Sequence, residues 1–262
     1  MIDIKMVRNS FKRFLEKYKN QEELGFELKV VHTYHVVANA SKLSKKLNLS
    51  EEDVQLAELI GLLHDIGRFE ELNFLKQFDS VGFDHASYGV KMLFEENLIR
   101  EFLFDNQYDT FIKNAINNHS RLTIENNLDE RSLLHAKIIR DADKLDNFRV
   151  KKEEKIEAIF PGKVKEKQEF ENSTISDKVY ISVLNRKCVD IKDRKTPLDY
   201  WICVLAFLFD LNFKESYEIV KENDFINVLI DRFHYQNSET KKQMEEIRTI
   251  MNDYIDSKVS GE

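Results

Sequence analysis

Two prolines and seven glycines are all that interrupt a chain of 262 residues. Proline ends a helix, glycine weakens one, and both favour the tight turns that join strands. A chain so poor in them has few ways to turn a hairpin and few obstacles to a helix. Charged residues make up 33% of it and apolar residues 42%. The apolar ones return at spacings of three and four, the period of one helix face. The expectation is an all-α protein.

Length permits one large domain or two small ones. The stretch from Lys151 to Thr196 is more charged and less regular, and it contains Phe-Pro-Gly at 160–162. That break divides the chain into a core over 1–160 and a C-terminal helical extension over 161–262, expected to pack as one unit. A net charge of −7 argues against a general binder of nucleic acid or membrane surfaces, which presents a basic face. Cys188 and Cys203 lack metal-type spacing and form no disulfide framework. The start, MIDIKMVRNSFKRF, has no apolar core of a signal peptide, and the longest apolar run, WICVLAFLF, is too short to span a bilayer. These features point to a soluble cytoplasmic protein.

Helices are predicted over 7–18 and 22–47, the second carrying His32, Val36, Ala40, Leu43 and Leu47 on one face. Ser50 opens SEED, a capping-box-like start with Asp53. The helix that follows is expected to end at Gly67. Asp84 caps a helix from His85 past Leu93, Phe111 to His119 form another, and Asp129 caps ERSLLHAKIIRDADKLDNF. Both faces of that last helix are apolar, as in a buried central helix. Thr196-Pro197 opens a further helix, and others cover 214–222, 225–233 and 238–254. The stripe of Trp201, Leu205 and Leu208 reads as core, and the closing helix either caps the extension or joins two copies as a homodimer.

The polar residues that break this pattern carry the chemistry. In GLLHDIGRFEE, His64 and Asp65 stand in an apolar run, where polar groups are costly unless paired or bound to a metal. His32 lies on an apolar stripe, His85 starts a helix, His119 ends one, and Asp143 lies within the central one. Singly, each apart from His64-Asp65 reads as an ordinary buried or surface residue. Together they make a set of imidazoles and carboxylates suited to Fe, Mn, Zn or Ni rather than Ca²⁺. Six such groups exceed what one open catalytic metal needs, so two metals sharing an aspartate fit better.

The order His32, His64-Asp65, His85, His119, Asp143 resembles the HD-domain superfamily of metal-dependent phosphohydrolases. So do the segments HTYHVVANASKL, GLLHDIGR, HASYGV, INNHS and RDADKLDNF, over about 22–150. The resemblance implies a helical bundle with His32, His64, Asp65 and Asp143 as the common metal ligands. His85 and His119 match the additional histidines of members with two metals, where Asp65 is the bridge. Helical phase leaves Asp141 and Asp143 both open, and the family's Ala-Asp pairing, here Ala142-Asp143, favours Asp143. His35 is read as supporting the ligands or facing substrate, and His135 and His234 as structural or exposed. Arg68, Lys144 and Arg121 are candidate cations for a phosphate, with Arg68 first.

The implied activity is hydrolysis of a phosphoester or phosphoanhydride by metal-activated water. The partner is a small phosphorylated molecule, a nucleotide or dinucleotide. Two divalent metals per chain are expected, with Mn, Fe, Ni, Co, Zn and Mg not distinguished. The competing readings are a nucleotidase of the same fold with one metal, a di-iron oxygenase, and a non-catalytic nucleotide-binding regulator.

Overall fold

The computed structural model describes residues 1–18, 24–76, 82–160 and 166–261, and every regular element among them is helical. The first half contains α1 (Ile4–Leu15), α2 (Leu24–Lys46), α3 (Glu51–Leu63), α4 (Ile66–Leu75), α5 (His85–Val90), α6 (Asp109–Asn118) and α7 (Glu130–Glu153). The second contains α8 (Ile156–Ile159), α9 (Lys167–Glu171), α10 (Asp177–Leu184), α11 (Pro197–Leu205), α12 (Lys214–Glu222), α13 (Phe225–Ile230) and α14 (Ser238–Ser260). Residues 22–23 of the second predicted helix and Pro161-Gly162 of the predicted break lie outside the described residues. Two units form, Met1–Asp143 and Lys144–Glu262, and the division falls inside α7.

Caps supplied by the sequence start the helices of the first unit. Ser50 Oγ accepts from the Asp53 N–H at 3.1 Å and donates to Asp53 Oδ2 at 2.6 Å. Asp84 Oδ1 accepts from Ala86 and Ser87, both at 3.1 Å, and Asp129 Oδ1 accepts from Ser132 at 2.9 Å. These bonds satisfy backbone donors that the first helical turn leaves open. Asp53 also reaches out of its helix, since its Oδ1 receives Arg131 Nε at 2.8 Å and lies 3.1 Å from His135 Nε2. His135 is therefore buried as a tie between α3 and α7. Phe69 of α4 sits among Phe11, Phe14 and Phe26, with ring centroids 6.0, 5.9 and 5.5 Å away. That cluster anchors α4 against the N-terminal helices.

One expectation is corrected. Gly67 does not end the helix that precedes it. The chain turns at His64-Asp65 and resumes as α4, with Gly67 in its first turn. The reason is packing rather than propensity. A Cβ on Gly67 would run into the His85 carbonyl oxygen and lie 2.8 Å from Gly89 N. The missing side chain lets α4 touch the backbone of α5.

In the second unit Trp201 is buried, donates from Nε1 to Leu229 O at 3.1 Å, and packs on Phe233 at 4.7 Å. Thr196 and Asp199 form a capping box at α11, with Pro197 in its first turn, as the sequence implied. Met244, Ile247, Met251 and Ile255 of α14 are buried, in a helix whose neighbours are α10, α12 and α13 of the same unit. The closing helix thus caps its own unit. Neither cysteine is in a disulfide, and their thiols donate to Ala206 O and Val189 O. Among the described residues, no helix is long and apolar enough to cross a membrane.

Candidate metal centre

His32 lies within α2, His64 and Asp65 form the turn between α3 and α4, and His85 is the first residue of α5. His119 follows the last residue of α6, and Asp143 lies within α7. The fold brings these residues into two groups that share one member. His32, His64, Asp65 and Asp143 form the first, and Asp65, His85 and His119 the second. Within each group the candidate ligand atoms lie within 4.8 Å of one another.

The Asp65 carboxylate divides between the groups. Its Oδ2 is 3.1 Å from His64 Nε2 and 3.7 Å from His32 Nε2. Its Oδ1 is 3.4 Å from both His85 Nε2 and His119 Nε2. Asp143 Oδ1 closes the first group at 3.1 Å from His32 Nε2 and 3.8 Å from His64 Nε2. The residue whose helical phase was ambiguous is thereby placed. Asp141 is buried as well but belongs to neither group.

Ring orientation is set by the backbone. His64 Nδ1 donates to Gly61 O at 2.8 Å, and His119 Nδ1 donates to Ile116 O at 2.7 Å. With the proton on Nδ1, each Nε2 presents a lone pair to the cluster, as in metal sites whose other ring nitrogen is bound to a carbonyl. His64 Nε2 and Asp65 Oδ1 are buried and make no hydrogen bond among the described residues. Polar atoms left this way cost about 1–3 kcal/mol each, and here they converge. The set of imidazoles and carboxylates fits a first-row divalent cation.

The protonation states agree. Burial, and then the Arg68 charge, hold the His85 imidazole well below its usual pKa, so it is neutral and able to ligate. Burial by itself would raise Asp65, but the Lys29 ammonium beside it leads the charges that outweigh burial and keep the carboxyl well below the carboxylate range.

Cations flank the shared carboxylate. Lys29 of α2 forms an ion pair with Asp65 Oδ2. Sequence reasoning missed it, although it lies one turn before His32 on the same helix and could have been found by that spacing. Arg68 Nε lies 3.8 Å from Asp65 Oδ1, and its Nη1 donates to Glu71 Oε2 at 2.6 Å. Glu71 is fully buried and was also unforeseen. Removing either partner alone strands a buried charge, which costs about 3–5 kcal/mol. Urea melts of Arg68→Gln, Glu71→Gln and the double variant are expected to show the double variant losing less than the sum of the singles, by about 0.5–3 kcal/mol. Strict additivity would mean that the pair is not coupled.

The other expected residues are placed elsewhere. The Lys144 ammonium lies 2.7 Å from Asp210 Oδ2, within the second unit. Arg121 is exposed and pairs with Glu125. His35 and His234 are exposed. Asn39, which the sequence did not single out, donates from Nδ2 to Ala142 O at 3.1 Å. It fastens the His32 helix to the segment bearing Asp143.

Residues 30–147 match the HD domain family, and the match takes in all six candidate ligands. Over that span the chain is similar to the HD domain, and its His/Asp cluster is consistent with a metal-binding site of that domain. No curated protein and no solved structure matches the chain significantly.

Proposed function

We propose that this protein is a phosphohydrolase that holds two divalent cations and cleaves a phosphoester or phosphoanhydride of a small molecule, a nucleotide or dinucleotide. The division of the Asp65 carboxylate carries this reading, with one oxygen toward His32 and His64 and the other toward His85 and His119. His32, His64, Asp65 and Asp143 hold one ion, and Asp65, His85 and His119 the other. Such a pair supplies Lewis acidity toward phosphoryl oxygens and lowers the pKa of water enough to give a nucleophile at neutral pH.

The protein's own groups do the rest. Arg68 is fixed by Glu71 at one nitrogen and its guanidinium lies beside the Asp65 carboxylate, a positive charge placed to offset negative charge that builds on a phosphate oxygen. Lys29 brings a second positive charge from the facing helix. Lys144 is held by Asp210 and has no part in this reading.

Elemental analysis of wild type, His32→Ala and His119→Ala tests this, alongside phosphate release from nucleotides and dinucleoside polyphosphates with Mn²⁺. About two ions per chain are expected, falling in both variants, with phosphate released by the wild type. One ion indifferent to His119 would replace the reading with a single-metal nucleotidase. Oxygen uptake without phosphate release would mark an oxygenase, and no metal after reconstitution a non-catalytic regulator.

A further inference from the structure

Arg140 is among the largest side chains that are fully buried, at 2% exposure. A guanidinium in such a place costs several kcal/mol unless its donors are satisfied. Its Nη1 donates to Asn118 O at 2.7 Å and Arg121 O at 2.6 Å, with His119 O at 3.5 Å, and its Nη2 reaches Leu122 O at 3.5 Å. These carbonyls belong to the end of α6 and the chain that leaves it. Helix ends of this kind carry unsatisfied acceptors and partial negative charge, and they favour a cation. His119 stands in the middle of the stretch so gripped.

A second set of bonds fastens the same stretch. Buried Asn118 donates from Nδ2 to Asn114 O at 2.9 Å and accepts from the Glu125 N–H at Oδ1, also at 2.9 Å. The His119 ring is then oriented by its bond to Ile116 O. The backbone on which the His119 ring is mounted is thus held by bonds within residues 114–125, by Asn114 Nδ2 donating to Ser132 Oγ of α7 at 3.0 Å, and by Arg140, whose guanidinium grips the carbonyls on either side of His119. Arg140 lies on α7 one turn before Asp143. The same helix turn thus contributes a ligand to the first group and a grip on the backbone of a ligand to the second.

We propose that Arg140 is a positioning residue for the second metal group. Through the backbone of His119, it sets that group's affinity and couples it to the register of α7. This rests on reading the centre as a metal pair. Partners that orient a ligand are worth about 10–100-fold in metal affinity. Replacing Arg140 should weaken one ion by that factor and leave the other, held by His32, His64, Asp65 and Asp143, as it was.

The test is Mn²⁺ binding by equilibrium dialysis and electron paramagnetic resonance on wild type, Arg140→Met and Arg140→Lys, with circular dichroism to verify folding. Wild type should bind two Mn²⁺ and give the exchange-coupled signal of a pair. Arg140→Met should keep one tight ion, lose the coupled signal for the six-line spectrum of isolated Mn²⁺, and regain coupling only at about 10–100-fold higher Mn²⁺. Arg140→Lys, which keeps the charge and fewer donors, should fall between them, and it carries the test if Arg140→Met does not fold. A coupled pair with wild-type affinity in the folded variants would overturn the role of Arg140 while leaving the metal pair intact. So would an equal loss of both ions. A wild type that never shows coupling would instead overturn the metal pair itself.

Discussion

Asp65→Ala protein is expected to bind neither ion and to release no phosphate above background, while keeping its helical content. The two effects separate because of where Asp65 sits. As the residue before α4 its side chain caps no backbone N–H, so the helices lose nothing directly when it goes. The centre loses its only shared member. The second group falls to His85 and His119 alone, and the first keeps His32, His64 and Asp143. Removing the carboxylate also leaves Lys29 without its counter-charge beside these histidines, which opposes the entry of any cation. Metal content by elemental analysis, phosphate release and far-ultraviolet circular dichroism measure the three quantities. A variant with wild-type metal and turnover would end the assignment of Asp65 as the bridge.

Gly67→Ala should be the most damaging small substitution in the first unit. The new methyl group would collide with the His85 carbonyl and sit 2.8 Å from Gly89 N, and backbone cannot swing away as a flexible side chain can. Either α4 or α5 must move. Overpacking of this kind costs about 1–3 kcal/mol, and here the displaced segment begins with a candidate ligand. Thermal melting should shift down, and metal binding at the second group should weaken with it. Gly89→Ala is the comparison. Its Cβ would meet Ile66 Cγ2 at 3.2 Å and Gly67 N at 3.3 Å, close contacts that small adjustments can relieve, so a smaller loss is expected. Equal stability of Gly67→Ala and wild type would show that α4 and α5 are not held by this contact.

Much of the architecture follows from rules that act within a turn or two of chain. Ser50, Asp84, Asp129 and Thr196 cap the helices they were expected to cap, because a cap is a bond between near neighbours. The apolar faces of α7 are buried as their pattern implied, with Ala136, Ile138, Ala142, Leu145 and Phe148 all inside. The candidate ligands stand out for another reason. Histidine is scarce in this chain, and each of the six candidates interrupts an apolar surface, which has a cost that sequence alone displays.

What the sequence by itself determined is therefore the helical class, the helix starts and which scarce polar residues interrupt the apolar surfaces. Only the tertiary structure decided their arrangement. Phase along α7 could not separate Asp141 from Asp143, since both faces of that helix are covered; the fold brings Asp143 to within 3.1 Å of His32 and leaves Asp141 outside both groups. Gly67 reads as a helix breaker until the backbone of α5 is beside it. Lys29, Glu71, Asn39 and Arg140 look like ordinary polar residues of helices. They matter because folding removes water around them and leaves each to a particular partner: Asp65, Arg68, the carbonyl of Ala142, and the carbonyls around His119. Local propensity fixes where a helix begins. The strength of a charge or a donor is set by what surrounds it once buried, and for most of these groups that surrounding comes from residues far away in the chain.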